Sequence, residues 1–223
     1  MRVIVFGATG MVGQGVLREC LRDREIEHVL TVGRTATDEQ SVKLTGLLHK
    51  DFLDFRAIED QLAGYDACFF CLGVSSVGLS EQDYERVTFE YTVRAATTLA
   101  RLNPGMTFEY ISGMGTDSSE KGRSMWARVK GKTENALMRL PFKAVYALRP
   151  GFIQPIGGIK SKTGLYQAIY TVLGPLYPVG KALLPNYLTT TEQLGRAMIA
   201  LAKQGAATPI LEVREINALG ERK

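Results

Sequence analysis

Histidine and cysteine are scarce in this chain, with two and three copies among 223 residues. His28 and His49 show no paired ligand spacing, so no metal site is expected. Neither stands beside a Gly-x-Ser-x-Gly turn, and no serine–histidine–acid set suggests itself. An odd number of cysteines argues against a disulfide scaffold and fits a reducing compartment, hence a cytoplasmic location. Cys68 and Cys71 have the spelling of a redox pair, but they lie in an apolar strand-like run where residues three apart point to opposite faces. They are read as buried core thiols. There is no dense Lys/Arg block, and a net charge of +4 gives no reason to expect nucleic acid. No basic n-region or cleavage site accompanies the apolar start, so no secretory signal is read. Internal repeats and low-complexity tracts are also missing. The longest apolar stretch, 164–185, is broken by Gly174, Pro175, Pro178, Gly180 and Lys181, which disfavours a spanning helix. It is expected to form two short helices capping a pocket, with a membrane-surface or oligomer contact as the lesser alternative.

What is present is 45% hydrophobic and 22% charged residues, enough for a substantial soluble core. The stretch 2–21, RVIVFGATGMVGQGVLRECL, organises it. Val3–Phe6 is short enough for one buried strand, and Gly7, Gly10 and Gly13 follow at fixed offsets. Val12, Val16, Leu17 and Leu21 then share a helix face. Strand, glycine turn and helix form the context that a dinucleotide fingerprint requires. Gly7 permits the sharp turn, Gly10 permits approach of a pyrophosphate, and Gly13 permits close helix–strand packing. Free N–H groups of Thr9, Gly10, Met11, Val12 and Gly13 would face the phosphates.

Further strands are expected at 28–33, 42–48, 67–72, 107–111, 143–148 and 210–213, and helices at 55–63, 81–102, 123–140 and 191–202. The long helix should bury Val87, Tyr91, Ala95, Thr98 and Leu102. Alternation of strand and helix implies an α/β fold: one doubly wound (Rossmann) domain over 1–223 with a parallel sheet. Residues 154–190 are expected as a variable, helical cap on the substrate side. The second strand ends at Gly33-Arg34-Thr35 with no carboxylate between Glu27 and Asp38. Arg34 therefore favours NADP over NAD, because an arginine at that tip accommodates the 2′-phosphate. Asp51, after the third strand, could accept from the adenine amino group, and Asp54 could cap the next helix.

These motifs, with Cys71-Leu72-Gly73, Ser112, Lys130 and Arg149-Pro150-Gly151, resemble the atypical, NmrA-like short-chain dehydrogenase/reductases over about 2–153. The segment 127–134 also resembles small relatives of a Tat-interacting reductase-like protein. The resemblance implies that Ser112 polarises a carbonyl and that Lys130 holds the nicotinamide ribose. It adds Leu72, Gly73, Val74, Pro150, Gly151, Phe152 and Ile153 as cofactor contacts, and a homodimer as an expectation. The family's tyrosine, four residues before the lysine, is here Trp126. An indole N–H donates a hydrogen bond but exchanges no proton at physiological pH. Tyr177 and Lys181 repeat the spacing, but Pro178 and Gly180 disfavour the helix it needs. Tyr166 and Tyr170 are read as packing residues. Two readings follow: an oxidoreductase acting on a small carbonyl, sugar-derived or isoprenoid-like substrate, or a regulator that senses NADP(H) without chemistry, which Trp126 favours. An interaction module built on the apolar tail is the third.

Overall fold

The computed structural model describes residues 1–159 and 186–221. Seven parallel strands form its main sheet: β1 (Arg2–Phe6), β2 (His28–Gly33), β3 (Leu44–Leu48), β4 (Ala67–Phe70), β5 (Thr107–Ile111), β6 (Ala144–Arg149) and β9 (Ile210–Glu212). Their spatial order is β3-β2-β1-β4-β5-β6-β9. β1 pairs with β2 on one side, Val3 opposite Val29, and with β4 on the other, Val5 opposite Phe69. The order reverses beside β1, and in such sheets the crevice outside the carboxyl ends of the strands receives ligands.

Both faces of the sheet are covered, which is why Val3–Phe6 of β1 and all of β4 are apolar and buried. Val3 and Val5 pack with Val16, Leu17 and Cys20 of α1 (Met11–Arg22) and with Leu194 and Met198 of α5 (Thr191–Gln204). Ile4 and Phe6 face the opposite core, where Phe6 stacks on Phe70 with ring centroids 5.1 Å apart. Cys68 belongs to this second core and Cys71 packs against the first, the opposite-face placement that its strand position requires.

Several elements differ from the sequence expectation, among them the unforeseen strands Phe152–Gln154 and Leu188–Thr190, the second inside the expected helical cap. Residues 55–63 form a 3-10 helix, Arg56–Gln61, not an α-helix, because only Ile58 within it is buried and no apolar stripe holds a longer element. Its N-cap is Phe55, without a side-chain cap, and not Asp54, whose carboxylate accepts from the Arg56 N–H at 3.0 Å from one residue further out. The 81–102 region is split into α2 (Glu81–Glu85), a π turn (Arg86–Glu90) and α3 (Tyr91–Leu102). The wider turn shifts the buried stripe to Tyr84, Thr88, Thr92, Ala95 and Leu99, so only Ala95 of the expected set lies fully inside. Near the end of the chain, α6 (Val213–Gly220) is an unexpected helix, closed by a capping box between Glu212 and Glu215.

A second, two-stranded sheet pairs β7 (Phe152–Gln154) with β8 (Leu188–Thr190), also in parallel. α4 (Met125–Leu137) follows β5 and carries Trp126 and Lys130. The expected cap helices at 164–185, with Tyr166, Tyr170, Tyr177 and Lys181, lie outside the described residues. Among the described residues no helix is long and apolar enough to cross a membrane.

Candidate functional site

The turn between β1 and α1 is closed by contacts that exclude side chains. Gly7 has φ +75°, and a Cβ there would lie 2.6 Å from the Leu72 nitrogen. A Cβ on Gly13 would lie 2.1 Å from the Gly7 carbonyl oxygen. The Gly10 N–H donates to that same oxygen at 2.9 Å, and α1 begins at Met11. No side chain caps this helix and no acidic residue sits in its first turn. Among the described residues none supplies an anion to the positive helix end, and the residues present fit a diphosphate.

Two cavities flank the turn. The larger, of about 650 Å³, brings together Gly10, Met11, Val12, Leu72, Gly73, Val74, Ser112, Lys130, Pro150, Gly151 and Ile153. The smaller, of about 260 Å³, is lined by Gly7, Thr9 and Arg34, and by Leu72, which both share. Arg34 is exposed, and it makes no hydrogen bond or ion pair with any described residue. Among the described residues no acidic side chain lines this smaller cavity. Seventeen site positions are expected from the sequence, and three of these line neither cavity: Gly13, packed against the Gly7 carbonyl, Asp51 and Phe152. Asp51 lines neither cavity: its carboxylate accepts from the Leu53 N–H at 2.9 Å, and Phe52 takes the cavity wall instead. Phe152 also lines neither; its N–H donates to the Tyr187 carbonyl at 2.8 Å, while its strand neighbour Ile153 faces the cavity.

At the far end of the larger cavity β5 and α4 meet. Ser112 is buried, and both its N–H and its hydroxyl donate to the Leu148 carbonyl, at 2.9 and 3.1 Å. The Lys130 ammonium donates to the Ser112 carbonyl. Burial lowers Lys130 to about 8, against the opposing pull of the Glu134 carboxylate. Trp126, one helical turn earlier, presents its ring to the same cavity. Tyr84 of α2 and Met114 also line it, and sequence reasoning missed both. Two ion pairs pin α2 to α4: Arg128 reaches both carboxylate oxygens of Glu81 at 2.8 Å, and Lys132 reaches Glu85 at 2.5 Å. No group of histidines, cysteines and carboxylates able to hold a metal occurs among the described residues.

The model of the NAD dependent epimerase/dehydratase family matches residues 3–118, which run from β1 past Ser112. The chain belongs to that family. As a member of the epimerase/dehydratase family it is an oxidoreductase-like protein that binds a nicotinamide dinucleotide, and its likeness is to the atypical short-chain dehydrogenase/reductases. Protein FMP52-2, mitochondrial, of Scheffersomyces stipitis is 31% identical over 153 residues, covering 67% of this chain and 65% of that protein. Protein HTATIP2 of Rattus norvegicus is 25% identical over 154 residues, covering 68% of this chain and 62% of that one. Each match therefore spans less than two thirds of the relative's length. The solved structure of MoeE5 in complex with UDP-glucose and NAD shares the fold, with a TM-score of 0.68 at 16% identity, covering 99% of this chain and 81% of that one. One expectation falls here. The cytoplasmic location read from the cysteine count is contradicted by the fungal relatives, whose names carry the word mitochondrial. Unpaired buried thiols report a reducing environment, and that property does not single out one compartment.

Proposed function

We propose that this member of the family is an NADP(H)-dependent reductase of a small carbonyl compound. The observation that carries the reading is the larger cavity, which brings the start of α1 and the Ser112–Lys130 pair to one space, with Arg34 next door. Gly7, Thr9, Gly10, Met11, Val12 and Gly13 would hold the diphosphate. Leu72, Gly73 and Val74, with Pro150, Gly151 and Ile153, would frame the nicotinamide half. Lys130 would hold the ribose and Ser112 would polarise the substrate oxygen. For that role the Ser112 hydroxyl must turn from the Leu148 carbonyl, a rotation about one bond. The bound dinucleotide would supply or accept a hydride. Arg34 supports NADP over NAD, since its charge is unspent and no carboxylate stands beside it to bond a ribose diol.

The chain contains a single tryptophan, and it lines the larger cavity. Trp126 emission should therefore pass by energy transfer to reduced nicotinamide bound there. Titration with NADPH and NADH should give saturable transfer, tighter for NADPH. No transfer and no thermal shift with either would overturn the reading. A sensor without chemistry would show the same binding but no turnover of any carbonyl, and Trp126 in place of a proton-exchanging tyrosine is the observation in its favour.

A further inference from the structure

Charge is unevenly distributed around the larger cavity. Among the described residues that line it, Lys130 alone is charged, and its ammonium already bonds the Ser112 carbonyl. The cations around it are spent as well. Arg149, adjacent to the lining residue Pro150, turns to Glu134 and to the Ser118 hydroxyl at 2.6 Å. Arg128 is held by Glu81, and Lys132 by Glu85. Among the described residues that line the cavity there is no guanidinium to clamp a second diphosphate. Beside the small polar residues Ser75, Ser76 and Ser112, the walls carry a flat and apolar set: Trp126, Ile111, Met114, Val74 and Ile153. Val74 and Met114 keep 39% and 36% of their surface exposed, which gives the cavity an apolar lip.

Chemistry points the same way as charge. Reducing an aliphatic ketone leaves an alkoxide about as basic as hydroxide, whose parent water has a pKa of about 15.7. Such a step needs an acid at hand: Trp126 cannot supply one, the Lys130 ammonium is held by the Ser112 carbonyl, and Tyr84 is only 2% exposed. Reducing a quinone leaves a phenolate, whose parent acid has a pKa of about 10. Water can protonate that oxygen without help from the protein.

We infer that the larger cavity takes a planar, uncharged carbonyl compound of the quinone class, not a phosphorylated sugar. This rests on the dinucleotide reading above. In the step, one C=O of the quinone accepts two electrons and one hydrogen as hydride from a reduced nicotinamide dinucleotide, which leaves oxidised. Solvent supplies one proton, and the ring becomes a hydroquinone. Trp126 offers the flat face on which the ring stacks, and Ser112 donates to the carbonyl oxygen.

The test uses the whole chain loaded with NADP⁺ and reads binding before activity. 2-Methyl-1,4-naphthoquinone should quench Trp126 saturably and raise the melting temperature, whereas UDP-glucose should do neither. With NADPH present, the quinone should be reduced faster than 2-heptanone. Trp126→Tyr, which restores an acid, should raise the ketone-to-quinone ratio of turnover by about tenfold or more. Saturable binding of UDP-glucose, or NADPH binding without quinone binding, would overturn this inference alone. A ratio unmoved by Trp126→Tyr would overturn its chemical half. Failure of NADPH itself to accept energy from Trp126 would remove the dinucleotide reading, and this inference with it.

Discussion

Arg149 holds Glu134 at both carboxylate oxygens, Nε to Oε1 at 3.0 Å and Nη2 to Oε2 at 2.5 Å, and so ties the end of β6 to α4 one turn past Lys130. Glu134 is only 1% exposed on its side chain. A buried pair of this kind adds little net stability over an apolar substitute, but breaking it strands a charge. Arg149→Met is therefore expected to cost about 3–5 kcal/mol. The double change Arg149→Met with Glu134→Leu should recover most of that loss. Urea denaturation of the two variants checks this; equal losses in both would contradict it.

The two glycines of the turn should fail differently. A Cβ at Gly13 meets backbone at 2.1 Å, but one at Gly10 meets only the Gly7 oxygen, at 3.3 Å, and Gly10 itself lines the larger cavity. Gly13→Ala should lower the melting temperature by several degrees or prevent folding. Gly10→Ala should melt close to the wild type while binding dinucleotide at least about tenfold more weakly, since it fills the approach to the diphosphate. Thermal melts beside Trp126 titrations separate the two effects.

Cofactor choice should reside in Arg34. Arg34→Glu places a carboxylate where none lines the smaller cavity. NADPH affinity should fall and NADH affinity rise, reversing the preference. Unchanged affinities for both would show that the 2′-phosphate is held elsewhere.

Lys130 gives a pH signature. Its proton is lost near pH 8 because burial disfavours the charged form. Dinucleotide affinity should decline as the pH rises through that value, and Lys130→Met should remove the step. Glu134→Gln should move it to lower pH, because the Glu134 carboxylate raises Lys130. A flat profile in the wild type would mean that this ammonium does not contact the ligand.

Glu109 is fully buried on β5, with neither carboxylate oxygen hydrogen-bonded. Burial raises its pKa well above the ordinary 4.5. A raised folded value means that stability is greatest below about pH 4.5 and is lost as the pH climbs toward the folded value, by about 1.4 kcal/mol per unit. Glu109→Gln should remove that component of the slope between pH 5 and pH 7, as read by denaturation across the range. The same slope in wild type and variant would show that the carboxylate is solvated.

Much of the candidate site's placement was legible because it rests on local rules. Gly7, Gly10 and Gly13 are fixed by one turn, and Ser112 and Lys130 sit at positions set by a strand end and a helix. Arg34 follows from the tip of β2. Asp51 stands outside both cavities because an aspartate in a turn finds its nearest donor in its own backbone, here the Leu53 N–H. Phe152 and Ile153 could not be told apart without β7, whose pairing with β8 sends successive side chains to opposite faces. Tyr84 reaches the cavity from a helix distant in sequence, and its register depends on a π turn that periodicity does not announce. The box that opens α6 was missed because it carries Glu212 where serine or threonine is the familiar signal.

The short pairing of β7 with β8 also bears on how far the two sheets depend on each other. Phe152 sits opposite Leu188 and Gln154 opposite Thr190, so the two ends of the intervening chain are zipped together at the rim, clear of the seven-stranded sheet. Loosening this pairing should therefore leave the turn between β1 and α1, which is built on the other sheet, folded.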